Sequence, residues 1–180
     1  VVKTASVSSV SSDKNIFALI RPALVSLQTA TSTGTGILID AQGHILTSAH
    51  TIWSQDGTGA VVGVAHRVTV TLANGTKKTA TVVGMDQARD IAVLKLTEGG
   101  TYSFAKVNHD AALAEGDRVY VVGIDTGSVS GTITRKTALI VENTTSRKPS
   151  DTGSILVNDA GGIIGIPNPY SCKVIEEMKT

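Results

Sequence analysis

Short segments of aliphatic and β-branched residues recur along most of the chain, and turn-forming residues separate them. Runs of about four to eight such residues between turns are typical of β-strands. The segments with this pattern are 23–28, 36–40, 44–47, 68–73, 79–83, 91–96, 118–124, 131–135, 137–141, 154–157 and 163–166. Gly and Asn at 41–43, 73–75 and 159–162 predict hairpin turns, which need positive φ. The spacing predicts an all-β sandwich or barrel.

Helical patterns are confined to the two ends of the chain. Residues 1–12 are rich in Ser and Val without helical periodicity, which favours a flexible lead-in or an edge strand. Asp13 is the predicted N-cap of a short helix over 15–21, which the following proline ends. Ser171 is the predicted cap of a final helix within 171–179. Between the ends, 51–65 is predicted as a loop.

Composition narrows the possible functions. The 180 residues are 41% hydrophobic and 17% charged, which is the balance of an ordinary globular protein with a sizeable core. A net charge of +1 and 3% aromatic residues argue against a nucleic-acid partner, because neither a basic groove nor a stacking platform is present. The apolar runs are too short to span a membrane. Val1 in place of an initiator Met leads us to expect a processed or cloned fragment.

Metal and cofactor chemistry is not expected from this sequence. The histidines are scattered and match neither a His-Glu-x-x-His motif nor a paired Cys spacing, so no metal site is predicted. Cys172 stands alone and cannot close an internal disulfide. The Gly34-Thr35-Gly36 run lacks the strand-turn-helix context of a phosphate loop and is interpreted as the start of a strand.

Three short blocks hold the residue types that nucleophilic acyl transfer needs. That chemistry uses a reactive hydroxyl, a base, an acid that orients the base, and amide donors for the oxyanion. His50 follows an apolar strand, Asp90 precedes another, and Thr152 lies in the turn-like 150–154. Taken singly, each is more simply a capping or turn residue. Their order and their flanking sequences favour a catalytic interpretation.

These blocks and their flanks resemble the HtrA/Deg branch of the trypsin-like (chymotrypsin-fold) serine proteases. The matching segments are 22–27, 34–40, 43–50, 82–86, 90–96, 116–123 and 156–166. The resemblance implies a single peptidase domain over 1–180, with an N-terminal segment (1–22), two antiparallel β-barrels (23–98 and 103–167) and a cleft between the barrels. It implies that His50 is the general base, Asp90 the orienting acid and Thr152 the nucleophile.

The resemblance also implies the rest of the site. Ser150 and Thr152 would supply the oxyanion-hole amides, and Ile166, Pro167 and Asn168 would bind the substrate. Peptides or unfolded protein segments are the implied partners. The implied location is extracytoplasmic, in the periplasm or at the cell surface. No C-terminal PDZ domain, which full-length members often carry, fits within this chain.

The third block departs from the family pattern. The family's Gly-Asn/Asp-Ser-Gly-Gly-Pro is here Ser-Asp-Thr-Gly-Ser-Ile over 150–155. The β-branch of Thr152 stiffens χ1 where the attacking oxygen must rotate. Ser150 replaces a glycine that gives the loop its unusual backbone path. Pro167 and Pro169 lack the N–H that strand-like pairing with substrate needs. We expect either that the strand that follows is abbreviated or that further residues belong to it beyond this sequence.

Two functions therefore remain open. In the first, the chain is a protease homologue whose cleavage is lost or very weak, and it acts as a peptide or protein-interaction module. In the second, it is a functioning endopeptidase that uses Thr152 as its nucleophile.

Overall fold

The computed structural model describes residues 7–56, 58, 60–108, 113–125, 127–136, 140–143, 153–167 and 172–174. The elements in chain order are α1 (Val7–Ile20), β1 (Leu24–Gln28), β2 (Thr33–Leu38), β3 (His44–Thr47), β4 (Trp53–Gln55), β5 (Val61–Val64), β6 (Arg67–Leu72), β7 (Lys77–Asp86), β8 (Ile91–Leu96), β9 (Arg118–Gly123), β10 (Gly127–Lys136), β11 (Ile140–Asn143), β12 (Ile155–Asn158), β13 (Ile163–Pro167) and β14 (Cys172–Val174). Two 3₁₀ helices, Arg21–Ala23 and Ala49–Ile52, precede β1 and β4. No helix in these ranges has the length and apolar character to cross a bilayer.

The first half of the chain forms a closed antiparallel barrel with the strand order β1-β2-β3-β8-β7-β6. Alternate residues of each strand point inward, which is why Val25 and Leu27 of β1 are fully buried while Gln28 is exposed. β3 lies between β2 and β8, and Thr47 at its end pairs with Ala92. This pairing sets which loops share one end of the barrel.

The second half forms a six-stranded antiparallel sheet with the order β10-β11-β14-β13-β12-β9, and β9 pairs with β10 to close the ring. Strands β9, β12 and β13 are buried on both faces over most of their length. One face forms a small core of its own: Val119, Val121, Ile133, Leu156 and Ile164. The alternating residues Tyr120, Val122, Ile155 and Val157 join the larger core of the first barrel. The two sheets therefore share a packed apolar interface. The hydroxyl group of Tyr120, the one polar group among these four side chains, donates to the Asp159 carboxylate at 2.8 Å.

The prediction of a mainly β fold is confirmed, and the three predicted hairpin turns join β2 to β3, β6 to β7 and β12 to β13. The prediction for the N-terminus was partly wrong. Helix α1 begins at Val7, so Asp13 lies inside the helix instead of capping it, and Val7–Ser12 is neither a lead-in nor an edge strand. Helix α1 packs against β9 and β10 and buries Ile16 and Ile20. Such packing overrides weak intrinsic propensity.

Two further predictions are corrected by the strands. The predicted loop 51–65 contains the two-stranded sheet of β4 and β5, in which Trp53 pairs with Val64. The predicted final helix is contradicted at Cys172–Val174, which form β14 between β11 and β13. A strand here forms backbone hydrogen bonds with both β11 and β13. A helix would leave the N–H and C=O groups on those two strand edges unpaired. The second sheet therefore extends beyond residue 167, and the strand that the sequence predicted to be abbreviated is present as three residues.

We expect Gly36→Ala to lower the free energy of unfolding by about 1–3 kcal/mol, because overpacking strains a closed core. A Cβ at Gly36 would lie 2.7 Å from Ile45 Cγ2 and 3.0 Å from Leu27 Cδ1. Gly84→Ala is the control, because a Cβ there meets no atom within 4 Å. It should change the stability by less than about 0.5 kcal/mol. Urea unfolding measures both, and equal losses would contradict the packing argument.

Candidate active site

His50 lies on the 3₁₀ helix Ala49–Ile52, which follows β3 after Ser48. Ala49 and Ile52 are fully buried and anchor this helix in the core of the first barrel. The His50 side chain points the other way and is 28% exposed. The two apolar residues therefore hold the backbone of this 3₁₀ helix in place, and the His50 imidazole remains accessible to solvent.

Asp90 ends the turn between β7 and β8 and has φ 55°. Non-glycine residues rarely adopt this left-handed conformation, and they keep it only where neighbouring contacts hold them. Two such contacts are backbone hydrogen bonds. The Asp90 N–H donates to the Gln87 carbonyl at 3.3 Å, and the Ala49 N–H donates to the Asp90 carbonyl at 3.1 Å.

The carboxylate of Asp90 binds His50 through both oxygens. His50 Nδ1 lies 2.6 Å from Oδ2, and the backbone N–H of His50 donates to Oδ1 at 2.9 Å. The Asp90 side chain is only 16% exposed. A carboxylate in this position favours the tautomer in which Nδ1 carries the hydrogen. Nε2 is then left with a lone pair, which is the state that a general base needs.

A second imidazole–carboxylate pair, His44 with Asp40, lies in the β2–β3 hairpin. Burial acts to raise the pKa of Asp40, but hydrogen bonds from the His44 backbone N–H and imidazole hold it below its ordinary value. Both side chains are about one-third exposed, at 36% and 34%. Because the partners are four residues apart and close a local turn, this pair is explained by hairpin structure. The His50–Asp90 pair instead joins distant parts of the chain.

The predicted nucleophile, Thr152, and the predicted oxyanion residue Ser150 lie outside the described residues. Gly153 follows position 152 directly and is buried against the first barrel with φ 76°. A Cβ there would overlap the Thr35 carbonyl oxygen and lie 2.9 Å from Thr47 Oγ1. Thr47 is three residues before His50. The chain just after position 152 is thus held beside the strand that leads to the imidazole.

Two hydrogen bonds organise this junction between the sheets. Thr47 Oγ1 donates to the Thr35 carbonyl at 2.8 Å, and the Ile124 N–H donates to Thr35 Oγ1 at 3.2 Å. Thr35 and Thr47 belong to the first barrel, whereas Ile124 follows β9 of the second sheet. Thr35 is 6% exposed, so its polar groups meet protein partners in place of water.

Two of the three predicted substrate-binding residues are placed by the structure. Ile166 and Pro167 end β13, are buried, and pair with Lys173 and Cys172 of β14. The third, Asn168, lies outside the described residues. Their role in substrate binding stays a prediction.

Trp53 is a neighbour of the site that the sequence did not single out. Its ring lies 6.1 Å from the His50 ring, centroid to centroid, with the planes at 62°. Trp53 directly follows the 3₁₀ helix as its C-cap, three residues or one 3₁₀ turn after His50, and this spacing is the signal that could have found it. In the described ranges no group of three or more His, Cys, Asp and Glu residues is arranged to hold a metal ion.

Comparison with known proteins agrees with this fold. The family model of the trypsin-like peptidase domain matches residues 34–166. Similar proteins include the "Probable periplasmic serine endoprotease DegP-like" of Buchnera aphidicola subsp. Baizongia pistaciae, 31% identical over 147 residues, which are 74% of this chain and 30% of the relative. Another is "Protease Do-like 1, chloroplastic" of Arabidopsis thaliana, 29% identical over 157 residues, which are 78% of this chain and 34% of the relative.

Among solved structures, the crystal structure of Deg5 aligns with a TM-score of 0.73 at 23% identity. The alignment covers 95% of this chain and 91% of that one, and it shows a shared fold. The chain therefore belongs to the trypsin-like peptidase family. Its relatives place it in the HtrA/Deg branch. The chain spans about one-third of the length of these curated relatives, at 30% and 34%.

Gly153→Ala should destabilise the protein by about 3 kcal/mol, because it adds both a clash with the Thr35 carbonyl and an unfavourable positive φ. Gly75→Ala separates these two causes. Gly75 has φ 84° and open space around it, so only the conformational cost of about 1–2 kcal/mol applies. Thermal and urea unfolding of both variants measure the difference. A Gly153→Ala variant no less stable than Gly75→Ala would show that the sheets do not meet at this point.

Proposed function

We propose that this domain binds extended peptide segments in a cleft between two trypsin-like barrels, and that Thr152 makes its cleavage of them weak or absent. His50 is the general base, Asp90 orients it, and the amides of Ser150 and Thr152 form the oxyanion hole. The observation that carries the proposal is the double hydrogen bond from His50 to the Asp90 carboxylate, at 2.6 and 2.9 Å. General-base catalysis requires an imidazole held in one tautomer. A residue that only caps or turns the chain has no need of such a bond.

The weak cleavage follows from the chemistry of threonine. Its β-methyl group restricts χ1, so the hydroxyl oxygen has less freedom to turn toward the base and the substrate carbonyl. Threonine nucleophiles are usually activated by their own N-terminal amine. Thr152 is internal and depends on His50 instead. A misdirected amide at Ser150 would cost a further factor of about 10²–10³ in rate, as loss of one oxyanion donor does.

Peptide binding would use the end of β13 and the residues after it. Ile166 and Pro167 pair with β14 on one side, whereas the pairing with β12 reaches only Gly165. An extended peptide would lie along the remaining edge near Asn168. Pro167 has no N–H, so this edge offers fewer backbone donors than an ordinary strand. The partners that fit are unfolded or extended protein segments, met outside the cytoplasm as for the relative named periplasmic.

The second candidate function is a working endopeptidase with Thr152 as its nucleophile. The paired His50 and Asp90 favour it, because an oriented base is what an internal hydroxyl nucleophile requires. In this case Thr152 would form an acyl intermediate, and His50 would pass the hydroxyl proton to the leaving amine. The two functions share the cleft and the base and differ in the rate of attack.

Labelling with a fluorophosphonate probe, together with casein hydrolysis, tests the proposal. We expect the unmodified domain to react slowly or not at all, and Thr152→Ser to react at least about 10-fold faster, since serine lacks the β-methyl group. His50→Ala in the Thr152→Ser background should abolish labelling, because it removes the base. Mass spectrometry identifies the labelled residue.

Each outcome of this experiment separates the candidates. Labelling of Thr152 in the unmodified domain, lost in His50→Ala, would support the working endopeptidase and overturn the weak-cleavage proposal. A folded Thr152→Ser variant that remains unreactive would show that the oxyanion hole is not formed, and that the domain can act only as a binding module. Peptide binding by fluorescence anisotropy, unchanged between Thr152→Ser and the unmodified domain, is expected in either case.

A further inference from the structure

We infer that Trp53 is a positioning residue that holds the His50 imidazole against Asp90. This inference rests on the proposed role of His50 as the base. The two rings are 6.1 Å apart and meet edge to face, within the range of favourable aromatic contacts. Asp90 contacts the imidazole only at Nδ1. The Cβ attachment and this hydrogen bond still allow the ring to tilt about the line that joins them, and the indole restricts this tilt from a second direction.

The backbone around Trp53 is fixed independently of its side chain. The Ala65 N–H donates to the Ile52 carbonyl at 2.8 Å, and Trp53 pairs with Val64 across the β4–β5 sheet. Thr31 Oγ1 donates to the Trp53 carbonyl at 3.4 Å. Because these bonds involve only main-chain groups of residues 52 and 53, a substitution at Trp53 can change the ring contact while the backbone stays in place. The position can therefore be tested by side-chain replacement.

The indole N–H takes no part in this role. Trp53 Nε1 is buried and has no acceptor among the residues that the structure describes. A buried donor without a partner is costly, so its presence here needs a reason. The contact of the indole ring with the His50 imidazole is that reason, because it requires an aromatic ring at this position. This makes Trp53→Phe the conservative variant, since it keeps an aromatic ring and removes the unpartnered N–H.

The experiment follows the proton of the His50–Asp90 hydrogen bond by ¹H NMR, as a downfield resonance of Nδ1–H assigned by its loss in His50→Ala. The samples are the unmodified domain, Trp53→Phe, Trp53→Leu and Trp53→Ala. Val121→Ala is the stability control, because Val121 is buried in the small core of the second sheet. We expect the resonance to persist in Trp53→Phe and Val121→Ala, and to broaden or vanish in Trp53→Leu and Trp53→Ala.

A retained resonance in folded Trp53→Leu would overturn the inference, as would its loss in Trp53→Phe, which would assign the role to the N–H. If Trp53→Ala fails to fold, Trp53→Leu decides alone. If both aliphatic variants unfold while Trp53→Phe does not, Trp53 is a core residue and the inference is wrong. Because the resonance does not require turnover, labelling of Thr152 in the unmodified domain would overturn the weak-cleavage proposal and leave this result intact.

Activity provides the second measurement where it exists. In the Thr152→Ser background, Trp53→Ala should slow probe labelling by up to about 100-fold, as expected when a catalytic group is misplaced by about 1 Å. Trp53→Phe should restore labelling to within a few-fold of the parent. An equal loss in the Val121→Ala control would assign the effect to stability and contradict the positioning role.

Discussion

The site depends on one constraint, the register between β3 and β8. Thr47 pairs with Ala92, so the residues after β3 and those before β8 emerge at the same end of the first barrel. His50 and Asp90 lie at these two points. Three hydrogen bonds then join the two connections: two from His50 to the Asp90 carboxylate and one from Ala49 to its carbonyl. Asp90 has a positive φ, which is unfavourable for a non-glycine residue. This conformation lets its carboxylate bind His50 while its carbonyl binds Ala49.

The second sheet meets the first barrel close to β3, at Gly153. Successive residues of its strands point alternately into its own small core and into the core shared with the first barrel. The sheet therefore packs on the first barrel through an apolar face. At the edge of that face, Gly153 fits under Thr35 and Thr47 only because it has no side chain. The backbone after position 152 is therefore located by packing, whatever residue supplies the hydroxyl.

The sequence predicted the elements that local residue patterns determine. It did not predict the elements that depend on tertiary contacts. Alternating apolar residues and Gly-containing turns predicted most strands, and β3 and β8 have their predicted bounds. The order of His50 and Asp90 indicated a pair that the structure does bring together. Helix α1 and strand β14 were mispredicted, because α1 is supported by packing on β9 and β10, and β14 by pairing with two neighbours. The contact of Trp53 with His50 was missed because 51–65 was interpreted as a loop.

The proposed base and the proposed nucleophile come from distant parts of the sequence. The hydrogen bonds at His50 come from Asp90, the Ala49 N–H binds the Asp90 carbonyl, and the Trp53 ring lies beside the imidazole. All of these contacts lie within residues 49–90. Position 152 comes much later in the sequence, directly before Gly153 and close to the start of β12 in the second sheet. If Thr152 is the nucleophile as proposed, a substitution there changes the attack on the carbonyl, and the contacts of His50 with Asp90 and Trp53 remain. Under the proposed function, a branched alcohol at this position lowers reactivity while the oriented imidazole persists, so that a protease fold can keep its peptide-binding cleft after cleavage is weakened.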